Sequence, residues 1–157
     1  MKTDQMRPAF SMLTAIFVIV IMASVSIFVM SLSGKVVKIT TAQYQHEQAA
    51  LYAKSYTEYA ILAVTGNDRT ANCLKTINGT IGTPTTGNGY RVRTHISYIA
   101  GPAVDLSSCP NTRRLSTTVQ TTSTPLTIIV DTYVDYKDPE NSAGPWFTVH
   151  RRSVQKI

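Results

Sequence analysis

Three histidines, a run of carboxylates, two cysteines and three arginine pairs are the side chains of this chain that could do chemistry. His46, His95 and His150 are isolated from one another, and none lies at metal-ligand spacing. Asp131, Asp135, Asp138 and Glu140 fall close together, and carboxylates with loop carbonyls can hold a calcium ion. Their spacing is not that of an EF-hand, and Lys137 lies among them. Asp131 and Asp135 would share a strand face with Thr127 and Tyr133, so a solvated face paired with nearby arginines is the simpler expectation. No G-x-S-x-G elbow, G-x-x-x-x-G-K-[ST] loop or G-x-G-x-x-G turn occurs. The expectation is a chain with no catalytic residues, no metal and no cofactor.

The basic residues come in pairs. Arg91 and Arg93 project from one face of a strand, Arg113 and Arg114 lie in a loop, and Arg151 and Arg152 lie together. Brought together, they would attract phosphate backbones. Tyr98, Tyr133 and Trp146 could stack on bases but are not visibly interleaved with the arginines. The competing expectation is a basic surface that meets acidic partners. The 157 residues carry a formal net charge of +6. Between Arg69 and Ile157, ten Lys and Arg stand against five acids. Cys73 and Cys109 lie 36 positions apart and outside any C-x-x-C pair. In an exported domain such a pair reads as a disulfide, and in a cytosolic one as two buried thiols.

Strands must position most of these groups. In YRVRTHISYI, Tyr90–Ile99, one face takes Tyr90, Val92, Thr94, Ile96 and Tyr98, and the other takes Arg91, Arg93, His95 and Ser97. Ser123–Lys137 is a second strand, with Ile128, Val130, Thr132, Val134 and Tyr136 on one face. Trp146–Gln155 is a third, and the Thr-rich Leu115–Thr122 a weaker fourth. Asn78–Asn88, Ala100–Asn111 and Asp138–Pro145 read as turn-rich loops, and Ala71–Ile77 could form a short helix.

The element that sets the class of the protein comes first in the chain. From Pro8 to Leu32 the sequence has 25 uncharged, mostly apolar residues. As a helix they would measure roughly 37 Å, enough to cross a hydrocarbon core of ~30 Å with some tilt. Three readings compete. A secretory signal has an apolar core of only ~7–15 residues before its cleavage site, and Ser31-Leu32-Ser33 imitates such a site. A plain single-pass anchor is the second. The third joins the run to its C-terminal neighbour, because Lys35–Thr65 has no Gly or Pro and is rich in helix formers. Val37, Tyr44, Leu51, Ala53, Tyr56, Tyr59, Ala60, Leu62 and Ala63 recur near the spacing of one helix face. Gly66-Asn67-Asp68 is the first stop. One helix over Phe10–Thr65 is predicted, apolar all round in front and amphipathic behind.

On the leader MKTDQMRPA, the segment FSMLTAIFVIVIMASVSIFV and this amphipathic continuation, the chain resembles the type IV pilin superfamily of pilins, minor pilins and type II secretion pseudopilins. The resemblance covers about 55 residues and implies an α+β, pilin-like fold, a long N-terminal helix packed on a small antiparallel β-sheet head. It implies a leader over 1–9, a transmembrane half over 10–34, a docking half over 35–65 and a periplasmic head over 66–157. It implies that a prepilin peptidase cuts between Ala9 and Phe10 and methylates the new terminus. Ala9 stands where the family usually has Gly, and Thr14 stands where most members have Glu. That Glu neutralises a neighbour's terminal amine, because an unpaired charge in apolar surroundings is costly. A subunit without it suits a special position such as the filament tip. The implied partners are other pilin or pseudopilin subunits, packed through the helix at Ala15, Ala23, Ser24, Ser26 and Gly34, an inner-membrane assembly platform and membrane lipid. DNA is a further candidate partner, since minor pilins of DNA-uptake systems bind it. Lys2 and Arg7 before the span are nearly balanced by Lys35 and Lys38 after it. The cysteine pair then places the head outside, in the bacterial periplasm, with the N-terminus in the cytoplasm.

Overall fold

The computed structural model describes residues 7–119 and 126–157, with backbone alone for 7–11. The fold is α+β. Helix α1 (Arg7–Gly66) is followed by strands β1 (Thr76–Thr83), β2 (Asn88–Ala100), β3 (Arg114–Ser116), β4 (Leu126–Tyr136) and β5 (Phe147–Lys156). The single sheet has the order β1-β2-β4-β5, with every neighbour antiparallel. β3 is the exception. It runs parallel to β2 at Tyr98 and Ile99, on the edge that β1 leaves after His95. The expected Ser123 start of β4 and the Gln120–Thr122 end of the Thr-rich strand lie outside the described residues, as does the leader up to Met6.

The chain divides after Gln43 into two compact units. In the first, every side chain from Met12 to Gln43 is exposed. The segment is long and apolar enough to cross a membrane, with a mean hydropathy of 2.7 in its most apolar window. Five of its hydroxyls are turned onto their own helix. Ser24 donates to the Ile21 carbonyl at 2.8 Å, Ser26 to Met22 at 2.7 Å and Ser33 to Val29 at 3.0 Å. Thr40 and Thr41 do the same to Val36 and Val37. Such internal bonds are what a polar group needs where no water is available.

In the second unit, Tyr44 to Gly66 lies against one face of the sheet. The helix residues that bury completely are Ala49, Ala53, Thr57, Ala60 and Val64, at spacings of three and four. Of the expected stripe, Ala53 and Ala60 are buried and Tyr56 and Ala63 half-buried, but its large members are corrected: Val37, Tyr44, Leu51, Tyr59 and Leu62 are all exposed. The sheet supplies the bulk. Val92, Ile96 and Tyr98 of β2 and Ile128, Val130, Val134 and Tyr136 of β4 supply the large buried side chains, and the helix supplies small ones. The strand faces predicted for β2 and β4 are those found buried. Two apolar clusters result, one around Ala49, Ala53, Val92, Val134 and Tyr136, the other around Ala60, Val64, Ile96, Tyr98 and Ile128. A layer of threonines separates them. Thr57 Oγ1 lies 3.1 Å from Thr132 Oγ1 and donates to the Ala53 carbonyl at 2.7 Å, and Thr94 Oγ1 lies 3.4 Å from Thr132 Oγ1. All three side chains are buried and hydrogen-bonded, as buried polar groups must be.

The loop expected over Asn78–Asn88 is also corrected. Its first part is strand β1, and only Pro84–Thr86 turns, as a 3₁₀ helix closed by Gly87 at φ 83°. Asn78-Gly79 looks like a hairpin turn in sequence. In the fold Gly79 lies under the Tyr56 hydroxyl, where a β-carbon would collide with it. Thr76 already belongs to β1, so Ala71–Ile77 forms no helix. Cys73 and Cys109 are bonded, with Cα atoms 4.9 Å apart, and both are buried in the second cluster.

Candidate functional site

The face of the sheet away from the helix gathers most of the residues singled out for chemistry. Antiparallel register sets them in cross-strand rows. Arg91, Asp135 and Thr148 form one row; Arg93, Tyr133 and His150 the next; His95, Asp131 and Arg152 the third. Each arises because odd positions of β2 and β4 and even positions of β5 point outward.

Asp135 anchors the first row. Its side chain is only 1% exposed. Arg93 reaches both of its oxygens, with Nε at 3.0 Å and Nη2 at 3.1 Å. Arg91 Nη2 stands at 3.0 Å and the Thr148 hydroxyl at 2.8 Å. Burial alone would raise its pKa. The bonds from Arg93, Thr148 and Arg91 outweigh that and hold the carboxyl below its ordinary value. Asp131 repeats the pattern in the third row. Burial opposes ionisation, but Arg152 at 2.7 and 3.1 Å and His150 Nε2 at 2.9 Å lower its pKa. His95 is pushed the other way: burial first, then Arg113 and Arg93, lower its pKa. Its Nδ1 lies 3.0 Å from Arg113 Nη2.

Aromatic rings fill the spaces between the ions. His150 stacks on Tyr133 at 4.4 Å between centroids and 12° between planes. Arg93 sits 5.7 Å from the Tyr133 ring centre. Trp146 is flanked by Arg91 at 4.6 Å and by the Lys137 ammonium at 5.1 Å. These cation–ring contacts give the face an alternation of charge and ring that the linear sequence hides.

The six arginines singled out in sequence do not form one patch. Arg91, Arg93 and Arg152 share the outer face, and Arg113 reaches it through His95. Arg151 neighbours Arg152 along β5 and therefore points to the opposite face. Arg114 bonds the Asn111 side chain. His95, Asp131 and His150 do come together, but Asp131 is committed to a bidentate arginine and the His150 ring lies flat on Tyr133. The arrangement is that of an ion-pair array with surplus positive charge, suited to contact with an anionic surface. Among the described residues, no group of three or more His, Cys, Asp or Glu is placed to hold a metal. Ala9 and Phe10 lie in the helical backbone near the start of α1.

Signals for the buried carboxylate were weak in sequence. Asp135 differs from Asp131 only in its register partners. No family model, no curated protein and no solved structure matches this chain.

Proposed function

We infer that this chain is a minor pilin or pseudopilin-like structural subunit of a type IV pilus or type II secretion filament in the bacterial inner membrane. The observation that carries the reading is the division of α1. Its front is apolar and exposed on every side, and its rear is seated on a small sheet. An all-round apolar helix is suited to lipid or to other such helices, and the folded head beside its rear half suits a subunit displayed on one side of the membrane. The disulfide supports a head in an oxidising compartment, here the periplasm. On this reading a prepilin peptidase cuts between Ala9 and Phe10, and an assembly platform passes the subunit into the filament. The work of the protein is assembly, not catalysis.

Mass spectrometry of the purified N-terminus tests this. The expected chain begins at Phe10 and carries one added methyl group. An intact Met1 in cells with an active prepilin peptidase would reduce the protein to a tethered domain, and a cut after Ser33 would make it a soluble export.

A further inference from the structure

β5 is an edge strand: β4 covers one side of it and no strand among the described residues covers the other. The Ile157 amide donates to the Leu126 carbonyl at 2.9 Å, and the register then alternates along the strand. Residues 147, 149, 151, 153 and 155 direct their backbone groups to β4. Those of Thr148, His150, Arg152, Val154 and Lys156 point to the open side. The Lys156 carbonyl is occupied there by the Gln155 side-chain amide at 3.1 Å.

The charge of this edge has one sign. FTVHRRSVQK contains no acid, and it carries Arg151, Arg152 and Lys156 besides His150. Successive residues alternate between faces, so Arg151 stands on the helix side of the sheet and Arg152 and Lys156 on the outer side. Among the described residues, Arg151 and Lys156 have no acidic partner. An incoming strand would thus meet cations on both of its faces. A second copy of β5 would set like charges against one another, which is the usual protection of an edge against self-pairing. We propose that the open edge of β5 accepts an extended, acidic segment of a different polypeptide as an added strand. Its main chain pairs with the outward groups of residues 148–154, and its carboxylates meet Arg151 on the helix-side face and Lys156 on the outer face, since Arg152 is already paired with Asp131. This inference does not depend on the filament reading, because it concerns the head alone.

The test uses the full chain in non-ionic detergent and a fluorescent peptide of about ten residues in which Glu alternates and doubles with Val and Thr. Anisotropy at low salt should report binding. The same peptide with Lys for Glu should not bind. A version N-methylated on its backbone, which keeps the charge but cannot pair, should bind about tenfold more weakly or worse. Val154→Pro removes an outward amide and leaves the β4 ladder intact, so it should weaken binding about tenfold with an unchanged thermal midpoint. Arg151→Glu should have a similar effect. No binding of the acidic peptide at low salt overturns the proposal. Equal binding of the N-methylated peptide overturns it too, since the contact would then be charge without strand addition. The N-methylated arm leaves the protein untouched, so it decides the matter even if Val154→Pro fails to fold.

Discussion

Two stretches of one helix meet opposite fates in this protein. From Met12 to Gln43 the large apolar residues are exposed all round, and none of the most apolar window is buried. From Tyr44 to Gly66 the residues that bury are three alanines, a threonine and a valine, while Tyr44, Leu51, Tyr59 and Leu62 stay outside. Hydrophobicity along the helix therefore does not rank burial. The partner does. The front has only its own bulk to offer a surrounding phase, whereas the rear meets a sheet that already carries the bulk, and closeness matters more there than size.

The contrast can be broken most severely at the rear. Ala60→Glu would set a carboxylate without a partner into the closed contact, at a cost of about 3–5 kcal/mol. Urea unfolding of the head should show it, and an unchanged midpoint would mean that the helix does not seat there. Losing the disulfide, by Cys73→Ser with Cys109→Ser, should cost about 3–4 kcal/mol for a closed loop of this length. Thermal melts with and without reductant should agree with the variant. At the front, Ile21→Arg should raise the cost of membrane insertion by about 3 kcal/mol. The head should melt where it did before, and a joint loss of both would sink the division between the two stretches. A smaller and subtler effect is expected within the hydroxyl layer. Thr57→Val leaves Thr132 with only its longer bond to Thr94 and should cost about 1–2 kcal/mol. The double change Thr57→Val with Thr132→Val should cost less than the sum of the two, which a double-mutant cycle would show.

The gentlest probe is pH. The lowered pKa of His95 means that the unfolded chain takes up a proton first, so stability should begin to fall as pH drops below about 6.5. Asp131 and Asp135 are lowered as well, so their contribution is complete above about 3.9 and is lost as pH falls below it. A midpoint that rises on acidification would contradict both.

Much of the fold was legible because β2 and β4 alternate with a period of two. The inner faces of β2 and β4 could be named residue by residue. β1 was hidden by Asn78-Gly79 and Gly82: Gly79 is small here to pass beneath Tyr56, and Gly82 takes φ 63° beside the Asn88 carbonyl, so both turn-like signals lie inside a strand. The docking stripe was half legible: Ala53 and Ala60 lie on it as expected, but Ala49, Thr57 and Val64 complete it in place of Tyr44, Leu51, Tyr59 and Leu62, because small or polar residues carry little apolar signal. The outer array was half legible. That Arg91 and Arg93 share a face comes from their spacing. That Asp135 becomes nearly inaccessible while Asp131 stays more open depends on which neighbours the register brings, and no local pattern announces it.

The three threonines at the centre of the contact also act as an index mark. Sliding the rod by one turn, about 5.4 Å, would take the Thr57 hydroxyl away from Thr132 and set aliphatic carbon against oxygen. Grease alone would tolerate such a slip, since one methyl group serves as well as the next. A hydroxyl notch does not, and so the rear of the helix is held to one register on the sheet.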